Sequence, residues 1–120
     1  ALSAVLAELD CDSAQNQLIV GDFNDLSTAD YFQNIMDSGW TAPGFSHPKN
    51  INGTYKFQGR WQHIDLALYR SKRQYLGRIL APPLLLETEI KWGGYKPKRA
   101  YLGAFYTYGY SDHLPVYIFH

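Results

Sequence analysis

The chain has 120 residues, of which 46% are hydrophobic and 16% aromatic, which is the size and composition of one folded domain. Charged residues make up only 18%, and this low charge together with the frequent aliphatic and aromatic residues argues against an intrinsically disordered chain. The 11 basic and 11 acidic residues give a formal net charge of zero, unlike the basic balance typical of a nucleic-acid-binding domain. The most apolar run, residues 79–86, contains two prolines and is too short to cross a bilayer, so no membrane span is expected.

The first part of the chain predicts two helices on either side of one strand. Four leucine or valine side chains at helical spacing predict the end of an amphipathic helix over residues 3–10. The short, β-branched run in residues 17–23 predicts a buried strand. Ser27 and Asp30 resemble a helix-start box, and the apolar positions that follow predict a second helix that stops at Gly39.

The middle of the chain predicts a loop followed by a hairpin. Proline, glycine and asparagine are frequent in residues 41–53, which indicates a long loop. Residues 54–57 and 62–69 predict two strands joined through a glycine-containing connection. In the second strand, alternation places Asp65 on the face opposite Ile64, so a carboxylate points to one specific side of the sheet.

The last part of the chain predicts basic loops and a closing strand. Residues 70–78 and 91–99 contain most of the basic side chains and are expected to be loops with solvated surfaces. Tyr106, Tyr108 and Tyr110 alternate like one face of a strand, for which packing is the favoured interpretation and stacking on bases or sugars the alternative. Residues 111–119 predict a strand entered through a polar turn.

Three polar clusters interrupt these apolar strands, at residues 21–25, 63–65 and 111–113. Charged groups beside buried strands cost desolvation energy unless they are paired or bind a metal, so the three together predict one convergent polar centre. Each cluster alone has a simpler interpretation: turn chemistry for the first, an ion pair with a neighbour for the second, and a surface histidine for His113. Their oxygen-rich content favours hard ions such as magnesium or manganese. A single cysteine, Cys11, excludes an internal disulfide.

The clusters lie, in chain order, in Gly21-Asp22-Phe23-Asn24, Ile64-Asp65 and Ser111-Asp112-His113-Leu114-Pro115-Val116. In this order they resemble the carboxy-terminal half of the endonuclease/exonuclease/phosphatase family. The resemblance implies that residues 1–120 are the carboxy-terminal portion of one such domain. It also implies an α/β (α+β) fold, namely half of a four-layer α/β/β/α sandwich with a mixed, largely antiparallel sheet.

The resemblance implies a role for each matching residue in a metal-dependent phosphoester hydrolase. Asp22 would position or deprotonate the attacking water, and Asn24 would hold the scissile phosphate. His113 would hydrogen-bond the phosphoryl group, while Asp65 would orient that histidine. Asp112 would lie next to the metal, Mg²⁺ or Mn²⁺. These roles suit in-line attack on a phosphoester, which requires an activated water and positive charge around the phosphoryl oxygens.

The implied partner is a phosphate ester, with nucleic acid and a phospholipid headgroup both left open. Arg60 and Trp61, which precede the Asp65 strand, are candidate substrate contacts. Complete family members are about twice as long, and the glutamate that is their main metal ligand has no counterpart here. We therefore expect a missing amino-terminal half or self-association, and a chain that by itself has weak or no activity. The alternative function is a non-catalytic interaction module that retains the fold.

Overall fold

The computed structural model describes residues 2–11, 15–23 and 29–120 as a mixed α/β chain made mostly of strands. The two helices are α1 (Leu2–Asp10) and α2 (Ala29–Asp37), and one 3-10 turn spans Pro83–Leu85. The strands are β1 (Gln17–Asp22), β2 (Gly44–Ser46), β3 (Tyr55–Phe57), β4 (Arg60–Gln62), β5 (Asp65–Arg70), β6 (Leu76–Ile79), β7 (Leu86–Thr88), β8 (Tyr95–Pro97), β9 (Tyr101–Leu102), β10 (Phe105–Tyr106) and β11 (Val116–Phe119).

Within the described ranges, these strands form several small sheets. β1 pairs antiparallel with β5, and β6 lies between antiparallel β11 and parallel β2. Three antiparallel pairs, β3–β4, β7–β8 and β9–β10, complete the pattern. The mixed α/β class expected from the sequence is confirmed. No helix in the described part of the chain is long and apolar enough to cross a membrane.

Two apolar clusters hold these elements together. The first cluster consists of Ile35 of α2, Trp40 and Leu68 of β5, and apolar side chains of α1 also pack against it. The second cluster consists of Ile51, Ile79 of β6 and Leu114. Burial of side chains of this size contributes about 1.5–3 kcal/mol each. Leu68 lies three residues after Asp65 in β5, and Leu114 directly follows His113. Because these two leucines are 0% and 2% exposed, they anchor the chain on which Asp65 and His113 lie.

The helix predictions agree with the structure where it describes them. α1 begins at Leu2, one residue before the predicted start, and ends at Asp10. α2 ends at Asp37, and Gly39 follows with φ of 95°, a conformation that glycine adopts without steric cost. Ser27 lies outside the described residues, so its capping role stays a prediction.

Three predictions about strands and loops were wrong. The predicted loop at 41–53 contains β2, which pairs with β6. The predicted strand 62–69 is split, because β4 turns back on β3 and ends at Gln62, whereas β5 starts at Asp65 and pairs with β1. The basic stretches are also not entirely loops, since β6 begins at Leu76 and β8 covers Tyr95–Pro97. Short segments of this kind become strands through partners that are distant in the sequence.

The tyrosine prediction was also wrong. Tyr106 belongs to β10, but Tyr108 has φ of 60°, which is outside the conformation of a strand. Tyr106, Tyr108 and Tyr110 remain 54%, 78% and 53% exposed, so they do not pack into the core.

Candidate functional site

The antiparallel register of β1 and β5 brings two aspartates together. Asp22, the last residue of β1, lies directly opposite Asp65, the first residue of β5. The pairing continues one residue beyond the two strands, because the Phe23 N–H donates to the Ile64 carbonyl at 2.8 Å. Directly paired residues have their Cβ atoms about 5 Å apart. Two carboxylates that are 43 positions apart in the sequence therefore meet at one end of this strand pair.

Backbone hydrogen bonds around Thr54 bring the third cluster to the same place. The Leu114 N–H donates to the Thr54 carbonyl at 2.7 Å, and the Thr54 N–H donates to the Gln62 carbonyl at 2.9 Å. Tyr55 and His113 form an isolated antiparallel bridge beside them. Gly53 permits this approach, because an added Cβ would lie 2.7 Å from the Gln62 backbone.

Asp65 is the centre of a short hydrogen-bonded chain. The His113 Nδ1–H donates to Asp65 Oδ2 at 2.7 Å, and the Thr54 hydroxyl donates to the same oxygen at 2.5 Å. The Asp65 N–H in turn points to Thr54 Oγ1 at 3.3 Å. Hydrogen bonds to an ionised carboxylate are about twice as strong as neutral ones. They therefore hold the imidazole in one orientation, with Nδ1 on Asp65 and Nε2 directed away from it.

The surroundings of His113 favour its protonated form. Burial is the largest single influence and disfavours the charged ring, but the hydrogen bond to Asp65 and the charges of Asp65, Asp112 and Asp22 together outweigh it. The net result raises the pKa of His113 above its ordinary value. A protonated Nε2–H is a donor suited to an anionic oxygen. The Tyr55 ring lies over the imidazole, with 5.1 Å between the ring centroids.

The group also has the composition of a site for a hard divalent cation. One ligand atom from each of Asp22, Asp65 and His113 lies within 4.8 Å of the other two. Asp112 is adjacent, with its Oδ1 4.0 Å from His113 Nε2. Asp65 Oδ2 accepts two hydrogen bonds, and both Asp22 and Asp112 present exposed carboxylates.

Not every predicted site residue is brought to this group. Asn24 lies outside the described residues, so its role stays a prediction. Arg60 is exposed in β4, and Trp61 is half-buried against the Ile51 cluster, where it lines a separate pocket with Lys56. That pocket does not include the aspartates or His113 in its lining. A substrate contact by Arg60 or Trp61 therefore stays a prediction.

Two residues of the site were missed at the sequence level. Thr54 is 0% exposed and orients Asp65, and Tyr55 covers His113. A threonine in a short strand-like run has no pattern that marks it as a partner of a carboxylate 11 positions later.

The pKa of His63 is shifted in the opposite direction to that of His113. Burial, with a smaller contribution from His47, lowers the pKa of His63 and outweighs the effect of Asp65, which raises it. The His63 ring meets the Phe45 ring edge-on.

Comparison with known protein families gives a match over nearly the whole chain. The model of the Endonuclease/Exonuclease/phosphatase family matches residues 4–120. No curated protein and no solved structure matches the chain. The family match includes all three polar clusters and every element from β1 to β11.

Proposed function

Because the chain belongs to the Endonuclease/Exonuclease/phosphatase family, we propose that it acts as a metal-dependent phosphoester hydrolase, either a phosphodiesterase, a nuclease or a phosphatase. Phosphoesterase or nuclease chemistry is general in this family, as is the use of divalent metals. The observation that best supports the proposal is the convergence of Asp22, Asp65 and His113 from three separate sequence clusters. Such a group combines carboxylates that can activate water with a cationic donor that can bind phosphate.

In the proposed reaction, Asp22 accepts a hydrogen bond or a proton from the water that attacks phosphorus. His113 donates from Nε2 to a phosphoryl oxygen, where negative charge accumulates as the new bond forms. Asp65 acts as a positioning residue, since its Oδ2 accepts from Nδ1 and fixes which nitrogen faces the substrate. Thr54 in turn holds that carboxylate. Asn24 would bind the scissile phosphate next to Asp22.

We assign the metal to Asp112, with the Asp22 carboxylate beside it, and Mg²⁺ or Mn²⁺ as the ion. When bound, this ion supplies positive charge to the phosphoryl oxygens. Hard oxygen donors suit both ions, whereas the chain offers one cysteine and no closely spaced histidine pair for zinc.

We further propose that the chain is half of a four-layer α/β/β/α sandwich. β1 supports this, because in the described residues it pairs only with β5 and its other edge is open. Leu18 and Val20 of β1 are 43% and 48% exposed. The open backbone edge can pair with a further strand, and the exposed apolar side chains can pack on a second sheet. An amino-terminal half or a second copy of the chain would supply these elements.

The test is hydrolysis of bis(p-nitrophenyl) phosphate, a diester, and of p-nitrophenyl phosphate, a monoester, with Mg²⁺ and with EDTA, by this chain and by the longest natural product of its gene. The proposal predicts activity that EDTA removes, at least in the longer form. Asp22→Asn and His113→Gln should each reduce kcat by about 10²-fold or more. Asp37→Asn is the matched control, since Asp37 is an exposed aspartate of α2. No EDTA-sensitive hydrolysis by either form would contradict the proposal and favour an interaction module.

A further inference from the structure

The hydrogen bond between His113 and Asp65 fixes one atom of the imidazole. His113 Nδ1 donates to Asp65 Oδ2 at 2.7 Å. A ring held at Nδ1 can still tilt about that atom, and the tilt moves the other ring nitrogen, Nε2, which is the donor in the proposed reaction. The His113 side chain is 27% exposed, so core packing does not enclose it. Because a displacement of about 1 Å can lower a catalysed rate by about 10²-fold, efficient catalysis requires that the plane of this ring is fixed as well.

The Tyr55 ring lies against the imidazole at the distance of an interacting aromatic pair. The two ring centroids are 5.1 Å apart, and the ring planes are inclined to each other by 32°. Separations of about 4.5–7 Å between centroids are typical of attractive aromatic pairs. At this inclination Tyr55 covers a face of the imidazole, and the covered face cannot tilt far towards the phenol ring without overlap. The contact therefore restricts the motion that the bond to Asp65 leaves free.

The backbone that carries this ring is itself fixed by three neighbouring segments. Tyr55 lies opposite Gln62 in the β3–β4 pair, and it forms the isolated bridge with His113. The next residue, Lys56, donates from its ammonium group to two carbonyls in residues 93–95, at 2.8 Å and 2.9 Å. The Tyr55 ring is therefore presented to His113 from an anchored strand.

We propose that Tyr55 is a positioning residue, whose ring sets the plane of the His113 imidazole and so keeps Nε2 directed at the reacting phosphoryl group. This inference rests on the proposed function, because it concerns the same reaction. Asp65 sets the position of Nδ1, and Tyr55 sets the inclination of the ring. Thr54 and Tyr55 are consecutive, so one short segment holds both members of the His113–Asp65 pair.

A direct contact between the Tyr55 ring and the substrate is the competing interpretation, since Tyr55 is half-buried and part of it is accessible. The two interpretations differ in their kinetic effect. A residue that orients His113 acts as charge develops on the phosphoryl oxygens, so its loss lowers kcat. The loss of a substrate contact that is equally strong before and during the reaction raises KM and leaves kcat unchanged.

The first test compares variants in the form of the protein that hydrolyses bis(p-nitrophenyl) phosphate. Tyr55→Ala should lower kcat by about tenfold or more and change KM by less than about twofold. Tyr55→Phe keeps the ring, and both constants should stay within about twofold of the unsubstituted protein. Phe57→Ala is the matched control, since it removes a 51% exposed ring from the same strand, and it should also stay within about twofold. A raised KM with unchanged kcat, or an equal loss of kcat in Tyr55→Phe and Tyr55→Ala, would overturn the inference.

A double substitution tests whether Tyr55 acts through His113. In the His113→Gln background no imidazole remains to be oriented, so adding Tyr55→Ala should change kcat by less than about twofold. A further fall of about tenfold in that background would overturn the inference, because Tyr55 would then act on another part of the site.

NMR spectroscopy of the unsubstituted chain in EDTA tests the ring contact without relying on the folding of any variant. Nuclear Overhauser effects should connect the ring protons of Tyr55 with those of His113, and their absence would overturn the inference. In Tyr55→Ala the ring-proton resonances of His113 should move towards their positions in the unfolded chain, because the ring current of Tyr55 is lost. In Tyr55→Phe they should stay near their positions in the unsubstituted chain.

The two proposals fail separately. Hydrolysis that Tyr55→Ala leaves unchanged would support the proposed function and contradict the role given to Tyr55. Absence of EDTA-sensitive hydrolysis in every form, together with a ring contact that Tyr55→Phe preserves, would contradict the proposed function and support the orientation of His113 by Tyr55.

Discussion

Replacing Thr54 with valine tests whether its hydroxyl holds the candidate site together. Valine has nearly the same shape as threonine, so Thr54→Val at this 0% exposed position removes the hydrogen bond to Asp65 without opening a cavity. A hydrogen bond to a charged group contributes about 1.5–3 kcal/mol. Because the Asp65 side chain is 19% exposed, water replaces part of the lost bond, and the lower half of that range applies. We expect the free energy of unfolding to fall by about 2 kcal/mol and the Tm to fall by about 8 °C.

Urea denaturation measures this loss, and Thr54→Ser is the control. Serine keeps the hydroxyl and removes one buried methyl group, which costs about 1 kcal/mol. The two variants should also differ in the site itself, since only Thr54→Val frees Asp65 Oδ2 from one of its two donors. In the form that hydrolyses bis(p-nitrophenyl) phosphate, Thr54→Val should lower kcat more than Thr54→Ser. If Thr54→Val proved as stable as the unsubstituted chain, or more active than Thr54→Ser, the role given to the hydroxyl would be refuted.

Four further predictions concern the same region. NMR titration of metal-free protein should give His113 a pKa above its ordinary value of 6.5, and Asp65→Asn should lower it. Folding raises the pKa of His113, so the stability that the His113–Asp65 pair contributes is present below pH 6.5 and is lost as the pH rises through the raised pKa. Asp65→Asn should therefore destabilise the chain more at about pH 6 than at about pH 9. In thermal unfolding, Gly53→Ala should destabilise the chain by about 1–3 kcal/mol, because the added Cβ meets the Gln62 backbone. Gly44→Ala is the control, since its added Cβ has open space around it, and it should change stability by less than about 0.5 kcal/mol. Asp112→Asn should raise the Mg²⁺ concentration needed for half-maximal hydrolysis by about tenfold or more, and an unchanged metal titration would exclude Asp112 as a ligand.

Local patterns located the helices and β1, which ends at Asp22, because these features depend on neighbouring residues. The burial expected for β1 was wrong, since Leu18 and Val20 are 43% and 48% exposed. Helical spacing marked α1 and α2, and the position of Gly39 marked the end of α2. The hairpin was only half predicted. Nothing in residues 62–69 marks the change of partner between Gln62 and Asp65, which depends on β1, a strand more than 40 positions earlier.

The sequence by itself determined the class of the chain, its family and the three polar clusters, because these depend on residue types and their order. Only the tertiary structure decided which atoms of those clusters meet. The β1–β5 register sets Asp22 against Asp65, and the backbone bond from Leu114 to Thr54 places His113 on Asp65. The burial of Thr54 and the exposure of the tyrosines are evident only in the tertiary structure. Burial and ring contacts arise from long-range packing, which a linear pattern does not encode.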